Sequence, residues 1–95
     1  MEIGFLLRER SEDGQIDENV FVALNFERAK AKAEDYLGEI LEDDNTMDHS
    51  EACDLMDSWR KTLAAQRPTP SCHAVLSDPR LATTLTLGVV SIDRA

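Results

Sequence analysis

Two runs near the start of the chain, over residues 1–8 and 19–24, place large apolar residues at every second position. Alternation with a period of two is typical of half-buried β-strands, because successive side chains point to opposite faces of a sheet. We therefore predict two strands here. The apolar positions expected on one shared face are Ile3, Phe5, Leu7, Val20, Val22 and Leu24.

The dipeptide Asp13-Gly14 lies between these runs and favours a two-residue type I′ hairpin turn, in which both residues have positive φ. A hairpin closed there brings all six apolar positions onto one face. It also places Glu9 opposite Glu18, an unfavourable pair that keeps a longer or bulged loop open as an alternative. The predicted apolar pairs are Ile3 with Leu24, Phe5 with Val22 and Leu7 with Val20.

The period then changes to that of a helix, with apolar residues recurring at intervals of three and four. We predict a helix over residues 26–42, which Asn25 caps at its start. Gly38 weakens its interior and marks either close backbone packing or an early end of the helix. The stripe consists of Phe26, Ala29, Ala33, Tyr36, Leu37, Ile40 and Leu41.

A second apolar stripe follows the polar segment 43–46 and predicts a second helix that ends near Gln66, ahead of two prolines. Either Thr46 or Asp48 is expected to cap it, and Asp48 with Glu51 three residues later has the spacing of a capping box. Trp59 is expected in the core because it belongs to the stripe. The stripe consists of Ala52, Leu55, Met56, Trp59 and Leu63.

Two further strands are predicted over residues 71–76 and 83–92, the second of them rich in β-branched residues. The elements together predict one α+β domain over residues 1–95: an antiparallel sheet of three to four strands with two helices packed on one face, in the order ββααβ or ββααββ. The last strand is apolar and uncharged, so we expect it to pair with an N-terminal strand rather than lie exposed.

Composition adds a strong acidic bias to this ordinary globular pattern. The chain has 95 residues, of which 42% are hydrophobic, and a formal net charge of -9. No apolar run reaches the roughly 20 residues that a membrane span needs, and the first residues do not read as a signal peptide. We therefore expect a cytoplasmic protein with its two cysteines, Cys53 and Cys72, reduced.

Candidate chemistry is sparse. His49 and Cys53 stand four residues apart and share a helix face, whereas Cys72 and His73 are adjacent and point to opposite sides of a strand. A calcium loop beginning at Asp44 lacks the glycine and the bidentate glutamate that such loops require. The sequence thus predicts no catalytic residues, no metal and no cofactor, and a thiol or metal-dependent enzyme using His49 and Cys53 is the minority alternative.

The main functional clue is a concentration of carboxylates without any Lys or Arg among them. A solvated acidic face that aids solubility is one interpretation. The other is a surface that binds a basic partner and imitates the phosphates of a nucleic acid, whereas direct nucleic-acid binding is disfavoured. The predicted partner-binding residues are Glu34, Asp35, Glu39, Glu42, Asp43, Asp44, Asp48, Glu51, Asp54 and Asp57.

The segment Val20-Phe-Val-Ala-Leu-Asn-Phe-Glu-Arg-Ala-Lys-Ala-Lys-Ala resembles the opening of small phage-encoded anti-CRISPR proteins, in which a strand leads directly into an alanine-spaced helix. The resemblance covers about a fifth of the chain. It implies a non-enzymatic inhibitor in the host cytoplasm that occludes a DNA-binding surface of a CRISPR surveillance complex.

A different hypothesis is an accessory subunit or homodimer that uses the second face of the hairpin. In the predicted register that face carries Leu6, Phe21 and Ala23, which is more apolar than a solvated face requires. We therefore expect either a second layer of the same chain or a partner to cover it.

Overall fold

Two helices separate two pairs of strands along the chain. The computed structural model describes residues 2–43 and 47–92, and the α+β class and the element order agree with the sequence prediction. The elements are β1 (Glu2–Ser11), β2 (Asp17–Ala23), α1 (Phe26–Asp43), α2 (His49–Ala64), β3 (Ala74–Leu76) and β4 (Thr83–Ile92).

The four strands form one antiparallel sheet in the order β2-β1-β4-β3. β1 and β4 pair along their whole length, from Glu2 opposite Ile92 to Ser11 opposite Thr83. The prediction that the last strand pairs with an N-terminal strand is therefore confirmed. Neighbours on both sides protect the apolar β4, although β3 covers only its residues 85–87.

Both helices pack on one face of this sheet, where the core lies. The rings of Phe5 and Phe26 meet at a centroid distance of 5.0 Å and join β1 to the start of α1. Trp59 is only 3% exposed, as the sequence predicts. The largest fully buried side chains are Leu7, Leu37, Leu76, Leu85 and Leu87.

The predicted hairpin register is correct near the turn and wrong beyond it. Glu9 does lie opposite Glu18, but a β-bulge between Leu7 and Arg8 shifts the following pairs by one residue. Leu7 is therefore paired with Phe21 instead of Val20. A bulge places two residues against one, so it exchanges the two faces of the rest of the strand.

This exchange overturns the predicted faces of β2. Phe21 and Ala23 lie on the helix side, where Ala23 is buried, and they are not on the outer face with Leu6. Val22 and Leu24 lie outside instead, and they are 49% and 54% exposed.

The predicted type I′ turn at Asp13-Gly14 is also wrong. Gly14 has a φ of 77°, but no described residue other than glycine has positive φ, so Asp13 does not. The Asp13 carboxylate instead accepts hydrogen bonds from the Ser11 hydroxyl at 2.6 Å and from the Gln15 amide at 3.0 Å. These bonds stabilise a wider loop, which the amide of Ser11 closes by donating to the carbonyl of Ile16.

The helix starts follow the sequence closely. The side chain of Asn25 accepts a hydrogen bond from the Arg28 amide at 2.9 Å, which confirms the first cap. Asp48 and Glu51 form the reciprocal capping box at the start of α2, so Asp48 is its cap; Thr46 lies outside the described residues. Gly38 neither ends α1 nor packs closely, because a Cβ built there meets no atom within 4 Å.

Of the two strands predicted after the helices, the first is shorter than predicted and the second has the predicted length. β3 begins at Ala74 rather than at residue 71, whereas β4 spans the predicted residues 83–92. Across the residues that the structure describes, neither helix combines the length and the apolar character needed to cross a membrane.

Replacing Leu7 by Ala tests the core that this fold defines. Leu7 is fully buried, so we expect the free energy of unfolding to fall by about 2 to 5 kcal/mol because of the lost burial and the cavity left behind. Urea unfolding followed by Trp59 fluorescence measures it. Leu24→Ala makes the same change at an exposed position and should cost less than about 1 kcal/mol; equal losses would contradict the placement of the core.

Candidate functional site

The predicted acidic residues lie on the helical layer, on the side of the molecule away from the open face of the sheet. Five of them belong to α1, Asp48 caps α2, and three lie within α2. Asp44 lies outside the described residues. Two structural groups emerge from the set, because some of these carboxylates have partners within the chain and others do not.

Four of the acids are engaged in the fold. Arg60 reaches from α2 to Glu34 of α1 at 3.1 Å and also contacts Asp57 at 3.3 Å. Glu51 accepts a 2.7 Å contact from Arg80 in addition to its role in the capping box, and Asp48 provides the cap. These carboxylates connect elements of the chain, so they are weaker candidates for binding a partner.

The sequence offers a different partner for Glu34. Four residues separate it from Lys30, the usual spacing of a helix ion pair, but Lys30 lies 3.2 Å from Glu27 and over the ring of Phe26. Arg60 takes Glu34 because α2 packs beside α1. The expected pair of Lys30 with Glu34 is therefore wrong.

The remaining acids of α1 form what we call the acidic stripe: Asp35, Glu39, Glu42 and Asp43. All four side chains are exposed, and no described cation forms an ion pair with any of them. At 3.6 residues per turn they fall within an arc of about 100° on the solvent side of the helix. Asp54 of α2 is likewise exposed and unpaired with any described base.

The acidic stripe lies at the wrong end of its helix for stability. The C-terminal end of a helix carries partial negative charge and favours cations. α1 has no basic residue in its last turn, and Glu42 and Asp43 stand there instead. Like charges four residues apart, such as Asp35 and Glu39, add repulsion. The stripe is therefore held at a cost to the folding free energy.

Two acids of the hairpin, which the sequence prediction of the site missed, extend this field onto the sheet. The Tyr36 hydroxyl of α1 donates a 2.5 Å hydrogen bond to Glu9 of β1. This bond, partial burial and the nearby charges of Glu9, Glu18 and Glu39 raise the pKa of Tyr36 to about 12. The predicted hairpin register already indicated that Glu9 and Glu18 lie opposite each other. The position of Tyr36 above them could not be predicted, because it depends on how α1 packs on the sheet.

The best candidate for metal or thiol chemistry is a pair rather than a site. The thiol of Cys53 lies 3.6 Å from Nε2 of His49 on the exposed first turns of α2, as the spacing predicts. The pair borders a shallow groove of about 360 Å³ beside Leu41 and Met56. Within residues 2–43 and 47–92, no group of three His, Cys, Asp or Glu side chains is arranged to hold a metal ion.

The second cysteine is a core residue. Cys72 is 5% exposed, and burial raises the pKa of its thiol. A higher pKa reduces the fraction of nucleophilic thiolate at neutral pH. Neither cysteine forms a disulfide. Cys72 is thus a buried thiol, whereas Cys53 is exposed.

No family model matches the sequence, and no match was found among curated proteins or solved structures. The chemistry of the described surface therefore carries the functional argument.

Neutralising the end of the acidic stripe should stabilise the protein. In the variant Glu42→Gln/Asp43→Asn we expect the free energy of unfolding to rise by about 0.5 to 1 kcal/mol, because two charges that oppose the helix dipole are removed. Glu27→Gln, at the other end of α1, should lower it by a few tenths. Chemical denaturation at low salt measures both, and a loss of stability in the first variant would contradict the assigned cost.

The phenol of Tyr36 provides a pH test, since it is the only tyrosine of the chain. A folded-state pKa of about 12 against the ordinary 10.0 means that the native state keeps this proton longer than the unfolded state. The resulting stabilisation is present below pH 10 and is lost as pH rises towards 12. Phenolate absorbance should titrate late in the parent and earlier in Glu9→Gln, with Glu12→Gln as the control; an ordinary midpoint in the parent would exclude the hydrogen bond.

Proposed function

We propose that this chain is a non-catalytic binding protein whose acidic helical layer docks on a basic, nucleic-acid-binding surface of a partner protein and keeps nucleic acid away from it. The observation that carries the proposal is the acidic stripe. Its four carboxylates are exposed and have no ion-pair partner among the described residues, and two of them, Glu42 and Asp43, oppose the helix dipole. A basic partner would relieve both kinds of repulsion at once.

The charge density of the stripe supports imitation of a nucleic acid. Four charges lie between Asp35 and Asp43, a distance of eight residue steps, which is about 12 Å of helix axis at 1.5 Å per residue. One strand of DNA carries one charge per about 3.4 Å of its axis. The spacing of the carboxylates is therefore close to the spacing of phosphates that a Lys- and Arg-rich groove accepts.

Occlusion needs no chemistry beyond this match. Carboxylates that occupy the groove prevent phosphates from entering, and long-range attraction speeds the encounter at low ionic strength. Glu34 and Glu51 already form ion pairs with Arg60 and Arg80. The proposed partner surface is therefore centred on α1 rather than spread over all ten acids. The resemblance to anti-CRISPR proteins would make a CRISPR surveillance complex the partner, and this identity stays a prediction.

A capture experiment tests the proposal with two variants of equal charge. Glu39→Gln/Asp43→Asn removes two charges from the stripe, and Glu12→Gln/Glu27→Gln removes two from elsewhere. Nucleic-acid-binding proteins eluted from a heparin column are offered to each immobilised chain, and a labelled DNA duplex then competes for the captured protein.

We expect the parent and the second variant to capture the same protein at about 50 mM salt and to lose most of it at about 300 mM, since screened charges bind weakly. The stripe variant should capture at least several-fold less, and duplex DNA should displace the protein from the parent. Equal capture by both variants, or a captured protein that holds duplex and chain together, would contradict occlusion.

A further inference from the structure

The face of the sheet opposite the helices is open and largely apolar at one end. No described element packs on it, because both helices contact the other face. Val22 and Leu24 are about half exposed there, and so is Val75 on the far edge strand. We call this the open face; its apolar residues are Leu6, Val22, Val75, Val90 and Ile92, and the exposed Leu24 follows directly after the end of β2.

The apolar side chains form a continuous surface rather than scattered positions. A Cβ built on Gly4 would come within 2.8 Å of Ile92 and 2.9 Å of Val22, so these two side chains meet above the glycine. Valine and isoleucine are stiff at χ1, which lowers the entropy lost when they are buried. Gly88, paired with Leu6, has open space above it, because a Cβ built there meets nothing within 4 Å.

Charge is distributed unevenly between the two sides of the molecule. The chain carries a net charge of -9. The ionised side chains on the described part of the open face are Glu2, Arg8, Arg10 and Asp17, two of each sign, and Arg8 contacts Asp17 at 2.7 Å. This face is therefore formally neutral. Two copies that meet through it keep their acidic layers on opposite outer sides, where repulsion is weakest.

The dimensions suit a pair of chains. The accessible surface is 6260 Å², whereas a folded monomer of this mass exposes about 5,500 Å². Strands of ten, seven, three and ten residues give a face of roughly 500 Å², from about 3.3 Å per residue and about 4.8 Å per strand. Two such faces bury about 1,000 Å² in total, which is the lower limit for a specific interface.

We infer that the open face is the interface of a homodimer, in which a second copy of this chain packs sheet against sheet about a two-fold axis. Twisted sheets stack in this way at about 10 Å separation. A two-fold axis makes the interface self-complementary, so Leu6 of one copy can pack over the bare backbone at Gly88 of the other. The dimer then presents two acidic layers on its outer sides.

Sedimentation equilibrium over a range of chain concentrations tests the dimer directly. We expect the mass to double from 10.6 kDa as the concentration rises. Added salt should favour the dimer, because it screens repulsion between two acidic chains. That dependence is opposite to the one expected for docking on a basic partner, so the two proposals can fail independently.

Two matched variants locate the interface. Gly88→Lys places a long charged side chain on the open face, and Gly38→Lys makes the identical change of charge on α1, where a Cβ also meets nothing within 4 Å. We expect the first to lower the dimer association constant at least tenfold and the second to leave it unchanged. Both should keep the parent's circular dichroism, and Leu24→Lys repeats the test at a second position.

Three results would overturn the proposal. The parent alone could stay at 10.6 kDa at every concentration, whether or not a different protein binds the open face. The dimer could survive both Gly88→Lys and Leu24→Lys, which would place the contact at a strand edge. Gly38→Lys could weaken it as much as Gly88→Lys does, which would place the contact on the helices.

Discussion

The pairing of β1 with β4 is the constraint on which the rest of the structure depends. It joins the two ends of the chain through ten consecutive pairs and forms the centre of the sheet. β2 pairs with β1 and β3 pairs with β4, and the two faces of this central pair have different surroundings. Leu7 and Leu87 face the helices and are fully buried, whereas Leu6 and Gly88 face outward. Contacts this distant in sequence require closure of a long loop before they stabilise the fold.

The bulge beside Leu7 is the second constraint, because it determines which residues of β2 lie on each face of the sheet. It sends Ala23 and Phe21 to the helices and leaves Val22 outside. Lys32 then lies 5.5 Å from the ring centre of Phe21, so a base of α1 covers the edge of the core. Without the bulge the same strand would bury two valines and expose an aromatic ring.

Helices and strands were predictable from sequence wherever one periodicity was unambiguous. α1 and α2 have single apolar stripes and side-chain caps at fixed offsets, and the local chemistry of Asn25 and Asp48 is sufficient to start them. The bulge was not predictable for a specific reason. Every residue from Val20 to Leu24 is apolar, so a shift of one residue leaves the hydrophobic pattern of the strand satisfied either way.

The candidate surface shows the same division between local and distant information. Sequence identified the acids but could not rank them, because the partners that engage Glu34 and Glu51 lie 26 and 29 residues away. The Tyr36 contact with Glu9 spans 27 residues and requires hairpin and helix to be in place. Spacing within one element predicts which side chains share a face, and packing between elements decides which of them stay unpaired.

The distribution of bases explains why the acidic stripe remains unpaired. Arg8, Lys30, Arg60 and Arg80 each have a carboxylate partner nearby in the chain, on the neighbouring strand or on a facing helix. None of these partners belongs to the stripe, since no described base forms an ion pair on the solvent side of the last turns of α1. Within residues 2–43 and 47–92, the charge of the stripe is therefore not compensated by an ion pair. The open face is formally neutral and carries no such excess of charge, so the two proposals concern opposite sides of the molecule and different physical interactions.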